Sequence, residues 1–167
     1  MLFETEAGEP AEVAQVSNYF VDFDYFDVFG MAVVEGRAFS PEIRGEVQNE
    51  VLVNETAVRM AGLKNPVGKA VDGPNGRMRI IGVVKDFHFA SLHNEIRPMI
   101  FRPLMPEDWR LSSIKVRGER LPQTLAAIEK AWKKYTAEQP FKFTFLDQDF
   151  GALYESERRA GKIFAAF

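Results

Sequence analysis

The chain has only two histidines, and they stand close together in Asp86-Phe87-His88-Phe89-Ala90-Ser91-Leu92-His93-Asn94-Glu95. In an extended segment Asp86 and His88 share one face, and a chain reversal brings His93 back toward them, which sketches a metal site. Such a trio is the basis of one functional alternative, a metal-dependent hydrolase using Asp86, His88 and His93. Ser91, between the two imidazoles, invites a nucleophile reading. The spacing matches neither a His-x-x-x-His pair on a helix nor a Gly-x-Ser-x-Gly elbow. Two imidazoles and one carboxylate also under-fill a four-coordinate site. The plainer reading is a loop after a strand, whose imidazoles hydrogen-bond to backbone while Phe87, Phe89 and Leu92 pack inward. It predicts no bound metal and no catalytic residue here.

Other chemistries find less support. Gly73-Pro74-Asn75-Gly76 is too short and too rich in Pro to cradle a phosphate, and Gly68-Lys69-Ala70 lacks both the hydroxyl and the upstream glycine of a P-loop. Nucleotide binding of that kind is not expected, and no cofactor is implied. With no cysteine, thiol catalysis, Cys-ligated zinc and iron–sulfur clusters are excluded. Asn54-Glu55-Thr56 matches a glycosylation sequon, but Asn54 as a helix cap is the simpler assignment. Fifteen phenylalanines suit a core, or else the apolar groove of a freestanding binding module, a second alternative.

The elements that must position these residues are legible in outline. Val13–Phe23 and Met31–Phe39 mix β-branched, aromatic and polar residues as strands do, around a short helical turn, Asp24–Phe29, with Asp24 as N-cap and Gly30 as stop. Glu50–Asn54 predicts a buried strand that leads, through Asn54, into a helix over Thr56–Ala61. Turn residues between Lys69–Val71 and Met78–Val84 predict a hairpin. Pro98–Leu104 and Leu111–Val116 predict two more strands. Leu121, Leu125, Ile128, Trp132 and Tyr135 recur at helical spacing, and Phe141-Lys142-Phe143-Thr144-Phe145 alternates as a half-buried strand. Leu125, Ile128 and Trp132 are therefore expected to be buried against the sheet containing Phe141, Phe143 and Phe145. A last helix is expected from Asp149, with Phe150, Leu153 and Tyr154 on one side. The fold class is α+β.

Composition sets the outer limits. At 167 residues, 46% hydrophobic and 27% charged, the chain is a globular domain with enough length for a core. A net charge of −3 argues against nucleic acid as a partner. Residues 1–36 hold eight acidic side chains and neither Lys nor Arg. That pattern fits an acidic face for a cationic partner, or simply a solvated region. No apolar run is long enough to span a bilayer, and the N-terminus lacks the basic flank and apolar core of a signal peptide.

Taken in order, several short motifs look familiar together. Gly36-Arg37-Ala38-Phe39-Ser40, Val51-Leu52-Val53-Asn54-Glu55-Thr56-Ala57 and Gly62-Leu63-Lys64-Asn65-Pro66-Val67-Gly68-Lys69 come first. Ile80-Ile81-Gly82-Val83-Val84-Lys85-Asp86-Phe87-His88, Ser91-Leu92-His93 and Ile96-Arg97-Pro98 follow, then Phe145-Leu146-Asp147, Phe150, Tyr154-Glu155 and Gly161-Lys162-Ile163-Phe164. Over about residues 20–167 this series resembles the extracytoplasmic, or periplasmic, core domain of MacB/FtsX-type ABC transporter permeases.

The resemblance implies an α+β fold: a porter-like α/β lobe with a β-rich insert in its middle, ending in a stalk helix. Residues 1–12 would be a loose lead-in, 13–48 and 110–150 the lobe, 49–109 the insert, and 151–167 a helix leading to a missing transmembrane segment. The first strand and helix usual in the lobe look shortened or absent, as in an excised fragment. It further implies a non-catalytic domain on the periplasmic side of the bacterial inner membrane. ATP would be hydrolysed by a separate cytoplasmic ATPase subunit, reached through the missing membrane helices. The domain would couple helix motion to a periplasmic protein, lipoprotein or peptide substrate, and the intact permease would be dimeric. Phe150, Tyr154, Ile163 and Phe164 are the stalk and coupling candidates. The first two are expected to pack on the domain, and Ile163 to Phe167 to be exposed or frayed.

Overall fold

Strand β7 (Gly76–Val84) is the longest among the described residues, and three other strands hydrogen-bond to it. The computed structural model describes residues 1–42, 49–74, 76–87, 95–104, 111–136 and 139–146. In chain order the elements are β1 (Leu2–Glu4), β2 (Pro10–Glu12), β3 (Ser17–Val21), α1 (Tyr25–Phe29), β4 (Val33–Gly36), β5 (Glu50–Asn54), α2 (Glu55–Ala61), β6 (Ala70–Gly73), β7, β8 (Met99–Pro103) and α3 (Leu121–Tyr135). The eight strands form one mixed sheet in the order β2-β1-β6-β7-β5-β8-β3, with β4 also paired to β7. β6 and β4 run antiparallel to β7 along one edge, β6 beside its first half and β4 beside its last residues. β5 runs parallel to β7 on the other edge and antiparallel to β8, which lies parallel to β3. The fold is α+β, as expected.

Both faces of the sheet are covered. One core gathers Phe3, Val51, Val53, Val71, Met78, Ile80, Val83 and Ile100 with Ala57 and Ala61 of α2. The other gathers Val21, Leu52, Ile81, Val84 and Phe101 with Phe26 of α1 and Phe39. A regular strand would alternate strictly between them. In β7, Met78 and Ile80 face the first core, yet so does Val83, while Ile81 and Val84 face the second. The parity changes because the register with β5 jumps from Val51↔Ile80 to Leu52↔Gly82, a β-bulge that spends one extra residue. On the second face Tyr25 packs against Phe29 at 4.6 Å and Phe26 at 5.8 Å. Burial there, with Tyr19 nearby, pushes its phenol up to about 12.

The bulge sits where β4 crosses β7, and two glycines make that crossing possible. A Cβ on Gly36, whose φ is +73°, would lie 2.2 Å from the Ile81 carbonyl oxygen. A Cβ on Gly82 would lie 2.5 Å from the Arg37 carbonyl oxygen. Arg37 N–H donates to the Ile81 carbonyl at 3.0 Å, closing the crossing.

Several expectations need correction. Residues 1–12 are not a loose lead-in: β1 and β2 form a hairpin that joins the sheet through β6, and Phe3 is fully buried. Their strands of three residues are too short to show a period. Asp24 occupies the N-cap position of α1 without a side-chain cap bond, although Gly30 ends that helix in the left-handed conformation as expected. Leu111–Val116 and Phe141–Phe145 are not strands; a strand needs a hydrogen-bonded neighbour, and neither has one among the described residues. The chain divides into two compact units, Met1–Ile114 and Lys115–Phe167. The stretches assigned to a porter-like lobe, 13–48 and 110–150, fall largely on either side of that division.

In the second unit α3 forms as its stripe predicts, with Pro122 in the first turn. Leu125, Ile128 and Trp132 are only half-buried, which corrects the expectation of full burial. The Trp132 indole N–H donates to the Gln139 carbonyl at 3.0 Å, and its ring lies 6.3 Å from that of Phe141. Phe141, Phe143 and Phe145 stack in sequence at 5.4 Å spacings. The alternation read from the sequence is thus present as an aromatic row in an extended segment. The helix expected after Asp149 lies outside the described residues.

Gly36→Ala and Gly82→Ala are each expected to cost about 2–4 kcal/mol, through backbone clash and, at Gly36, left-handed strain. Gly8→Ala, with φ +80° but nothing within 4 Å of the added carbon, should cost less. Urea denaturation of the three variants ranks them. Trp132→Ala should lower stability by about 1–2 kcal/mol, below the roughly 3–5 kcal/mol of a fully buried aromatic. Calorimetry of that variant makes the check.

Candidate functional site

The densest polar cluster among the described residues lies at one end of the sheet and is built around Asn54, the last residue of β5. A buried carboxamide has two donors and two acceptor lone pairs to satisfy. Asn54 satisfies all four. Its Oδ1 accepts from the Ala57 N–H at 3.0 Å, capping α2, and from the Met99 N–H at 2.8 Å, holding the start of β8. Its Nδ2 donates to Asp86 Oδ1 at 2.8 Å and to the Arg97 carbonyl at 3.0 Å. The helix cap expected from the sequence is therefore formed. The carboxamide is fully buried, which leaves no room for the sequon's glycan.

Asp86, just past β7, completes the cluster. Its Oδ1 also accepts from the Thr56 N–H at 3.0 Å, and its Oδ2 accepts from the Thr56 hydroxyl at 2.7 Å. Arg59 donates to that hydroxyl at 2.7 Å and brings its guanidinium to 3.8 Å from Asp86 Oδ2. Glu55 accepts from the Asp86 N–H at 2.9 Å. A carboxylate on the first turn of α2 meets its free N–H groups and the positive end of its dipole. Both oxygens of Asp86 are thus engaged in joining α2 to the end of β7.

This bears directly on the hydrolase alternative. Of its three residues only Asp86 falls among the described ones, and it serves the cap of α2. His88, His93 and Ser91 lie outside the described residues, as do Phe150, Tyr154, Ile163 and Phe164. Among the described residues no group of three His, Asp or Glu side chains is placed to hold a metal ion. Sequence reasoning found Asn54 and Asp86 but missed their union, along with the roles of Glu55, Thr56 and Arg59. Asn54-Glu55-Thr56 after a buried strand signals a cap, but nothing local signals a partner thirty residues away.

Several of the other charges among the described residues form ion pairs. Glu50, 4% exposed, accepts from Arg37 at 2.7 Å and from Arg79 at 3.4 Å, joining β5 to β7 and to the residue after β4. Arg77 pairs with Glu4 at 2.7 Å and Asp72 at 3.5 Å. An open cavity of about 370 Å³ lies here, lined by Glu4, Glu50, Gly68, Ala70, Arg77 and Arg79, and its arginines are committed to neighbouring carboxylates. Nor do the acidic residues of 1–36 form one face. Glu4 is paired with Arg77. Glu6 accepts from the Lys64 and Asn65 N–H groups, and the bond from Asn65 chiefly holds its carboxyl below the usual range. Glu9 and Glu12 lie at the β1–β2 end of the sheet, whereas Asp22, Asp24 and Asp27 lie at the β3 end.

Comparison with known proteins agrees with this architecture. The model of the MacB-like periplasmic core domain family matches residues 3–131. Among solved structures, the periplasmic region of MacB from Actinobacillus actinomycetemcomitans is similar with a TM-score of 0.55 at 17% identity, over 80% of this chain and 61% of that one. A domain of a protein designated a permease, from Porphyromonas gingivalis, is similar with a TM-score of 0.54 at 19% identity, over 87% of this chain and 74% of that one. The chain thus spans less than two thirds of the MacB region. No curated protein matches it. Among the described residues no helix is long and apolar enough to cross a membrane.

Asn54→Ala removes four hydrogen bonds, leaving the buried Ala57 and Met99 N–H groups without their acceptor, and is expected to cost about 3–5 kcal/mol. Asp86→Ala, at a partly open site, should cost about 1–3 kcal/mol. Thr56→Val, which removes one hydroxyl bond and keeps the backbone N–H, should cost less than either. Denaturant titration of the three variants tests this order.

Proposed function

We propose the function that follows from one premise: this chain belongs to the MacB-like periplasmic core domain family. Its place is the periplasmic side of the bacterial inner membrane, in an ABC transporter permease. Within that setting the domain is a non-catalytic transmitter. It moves with the membrane helices of the permease, driven by ATP hydrolysis in a separate cytoplasmic subunit, and acts on a substrate or partner protein outside the membrane. The permease works as a dimer. Phe150, Tyr154, Ile163 and Phe164 belong to the stalk through which motion arrives.

The observation that carries this reading is the cluster at Asn54 and Asp86. It ties the ends of β5 and β7, the start of β8 and the first turn of α2 into one body with both sheet faces packed. A body of that kind transmits displacement, because packed interiors deform little. The same cluster disfavours the hydrolase alternative, since Asp86 already has a structural use.

In the full-length permease assembled with its ATPase, replacing residues 1–146 by a flexible Gly-Ser linker is expected to abolish transport while ATP hydrolysis persists. Undiminished transport would overturn the proposal. Metal analysis of the dialysed chain tests the alternative: stoichiometric metal, lost in His88→Ala and His93→Ala, would revive the hydrolase reading.

A further inference from the structure

The turn of the β1–β2 hairpin is fastened to a loop 58 residues further on. α2 ends at Gly62 in the left-handed conformation, and the Leu63 N–H turns back to the Val58 carbonyl at 3.1 Å. The next two N–H groups, of Lys64 and Asn65, both donate to one oxygen, Glu6 Oε1, at 2.9 Å each. Successive N–H groups turned the same way form a small anion seat, and here the chain's own carboxylate fills it. Glu6 stands in a turn closed by the Gly8 N–H on the Thr5 carbonyl at 3.1 Å and by the Thr5 hydroxyl on the Glu9 carbonyl at 2.7 Å. Elsewhere the hairpin is thinly held. Its strands have three residues each, and β1 pairs with β6 at two positions only, Leu2↔Asp72 and Phe3↔Val71. A two-stranded hairpin by itself is marginal in water. Phe3, fully buried, and the Glu4–Arg77 ion pair add to its attachment.

We infer that Glu6 is an acid-released latch: its carboxylate holds the hairpin against the loop after α2, and protonation lets the hairpin lift from β6. A charged acceptor binds an N–H about twice as strongly as a neutral one, so the protonated acid keeps a weak hold. The charged side chains of the two loops are Lys64 and Lys69 on one and Glu9 on the other, with Glu4 and Arg77 paired next to the turn. The bond from Asn65 does most to hold the Glu6 carboxyl below the usual glutamate range. The N–H groups of Glu6 itself and of Lys64 follow, and Lys69 adds the least. Because attachment lowers the value, the latch is closed above the ordinary glutamate range and opens as the pH falls through the lowered one. Lifting frees the outer edge of β6 and uncovers Phe3, while the rest of the sheet keeps its ties at Asn54.

The test is NMR of the full chain, following the backbone amides from neutral to acid pH. The Lys64 and Asn65 signals are expected to move together in one step below the ordinary glutamate range. That step should vanish in Glu6→Gln, which keeps the shape and removes the charge. At neutral pH, hydrogen exchange at Lys64 and Asn65 should be several-fold faster in Glu6→Gln and faster still in Glu6→Ala. Exchange at Leu2 and Asp72, opposite each other in β1 and β6, should quicken in step. Val53 and Ile80, in the first core, should keep the parent's rates and so report that both variants are folded. Amide signals that titrate alike in the parent and in Glu6→Gln overturn the inference, as does parent-like exchange at Lys64 and Asn65 in Glu6→Ala. Faster exchange at those two amides without any at Leu2 and Asp72 overturns it too, since the carboxylate then orders its loop without holding the hairpin. Acceleration that extends equally to Val53 and Ile80 also overturns it, because Glu6 then supports the whole unit and latches nothing.

Discussion

One buried carboxamide holds the larger unit together. Asn54 stands where β5 ends; α2 and the chain leaving β7 each take one bond from its side chain, and the start of β8 takes two. A hydrophobic residue there would leave the Met99 and Ala57 N–H groups and the Arg97 carbonyl unpaired. Aspartate would put a second carboxylate against Asp86. The requirement for two donors and two acceptors in one short side chain selects asparagine among the common residues of this size. Around that point the rest follows: α2 is held against the first core, and β8 is held antiparallel to β5. Asp86 is placed where the first turn of α2 needs an anion.

The second constraint is the β4–β7 crossing. A bulge in β7 lets one strand supply alternating residues to two cores whose phases differ by a residue, and the backbones of Gly36 and Gly82 approach too closely for side chains. The two constraints have the same character. Neither adds apolar area; each determines which apolar residues meet, and the hydrophobic effect is then sufficient. Glu50 extends the pattern, because a nearly buried carboxylate shared by Arg37 and Arg79 joins β5 to β7 and to the residue after β4 through charge rather than packing.

How much of this was legible depends on how local each signal is. The cap at Asn54, the hairpin of β6 and β7, the stop at Gly30 and the stripe of α3 each lie within a few residues, and each reads correctly. The β1–β2 hairpin is local too but has only three residues a side, too few for alternation to register. The link from Asp86 to Thr56 and the sharing of Glu50 are non-local, and no spacing rule reaches them. Phe141 to Phe145 marks a different limit. Alternation shows that a segment is suited to one apolar face, as its row of rings confirms, but strand formation also needs a neighbour that the alternation does not name.

The order of strands has a consequence for a domain that lies on the periplasmic side of the inner membrane. β3, near the start, finds its neighbour in β8, about eighty residues further on, with Ser17 opposite Met99. A chain delivered from its N-terminal end therefore emerges with β3 and the ring of Tyr19, which stacks on Phe101, uncovered until β8 has followed. The β1–β2 hairpin closes early, but even it waits for β6 before Phe3 is covered. Assembly of this sheet is a late event in export, governed by the arrival of its second half. During that interval the exposed edge is the part of the molecule that a periplasmic chaperone would have most reason to hold.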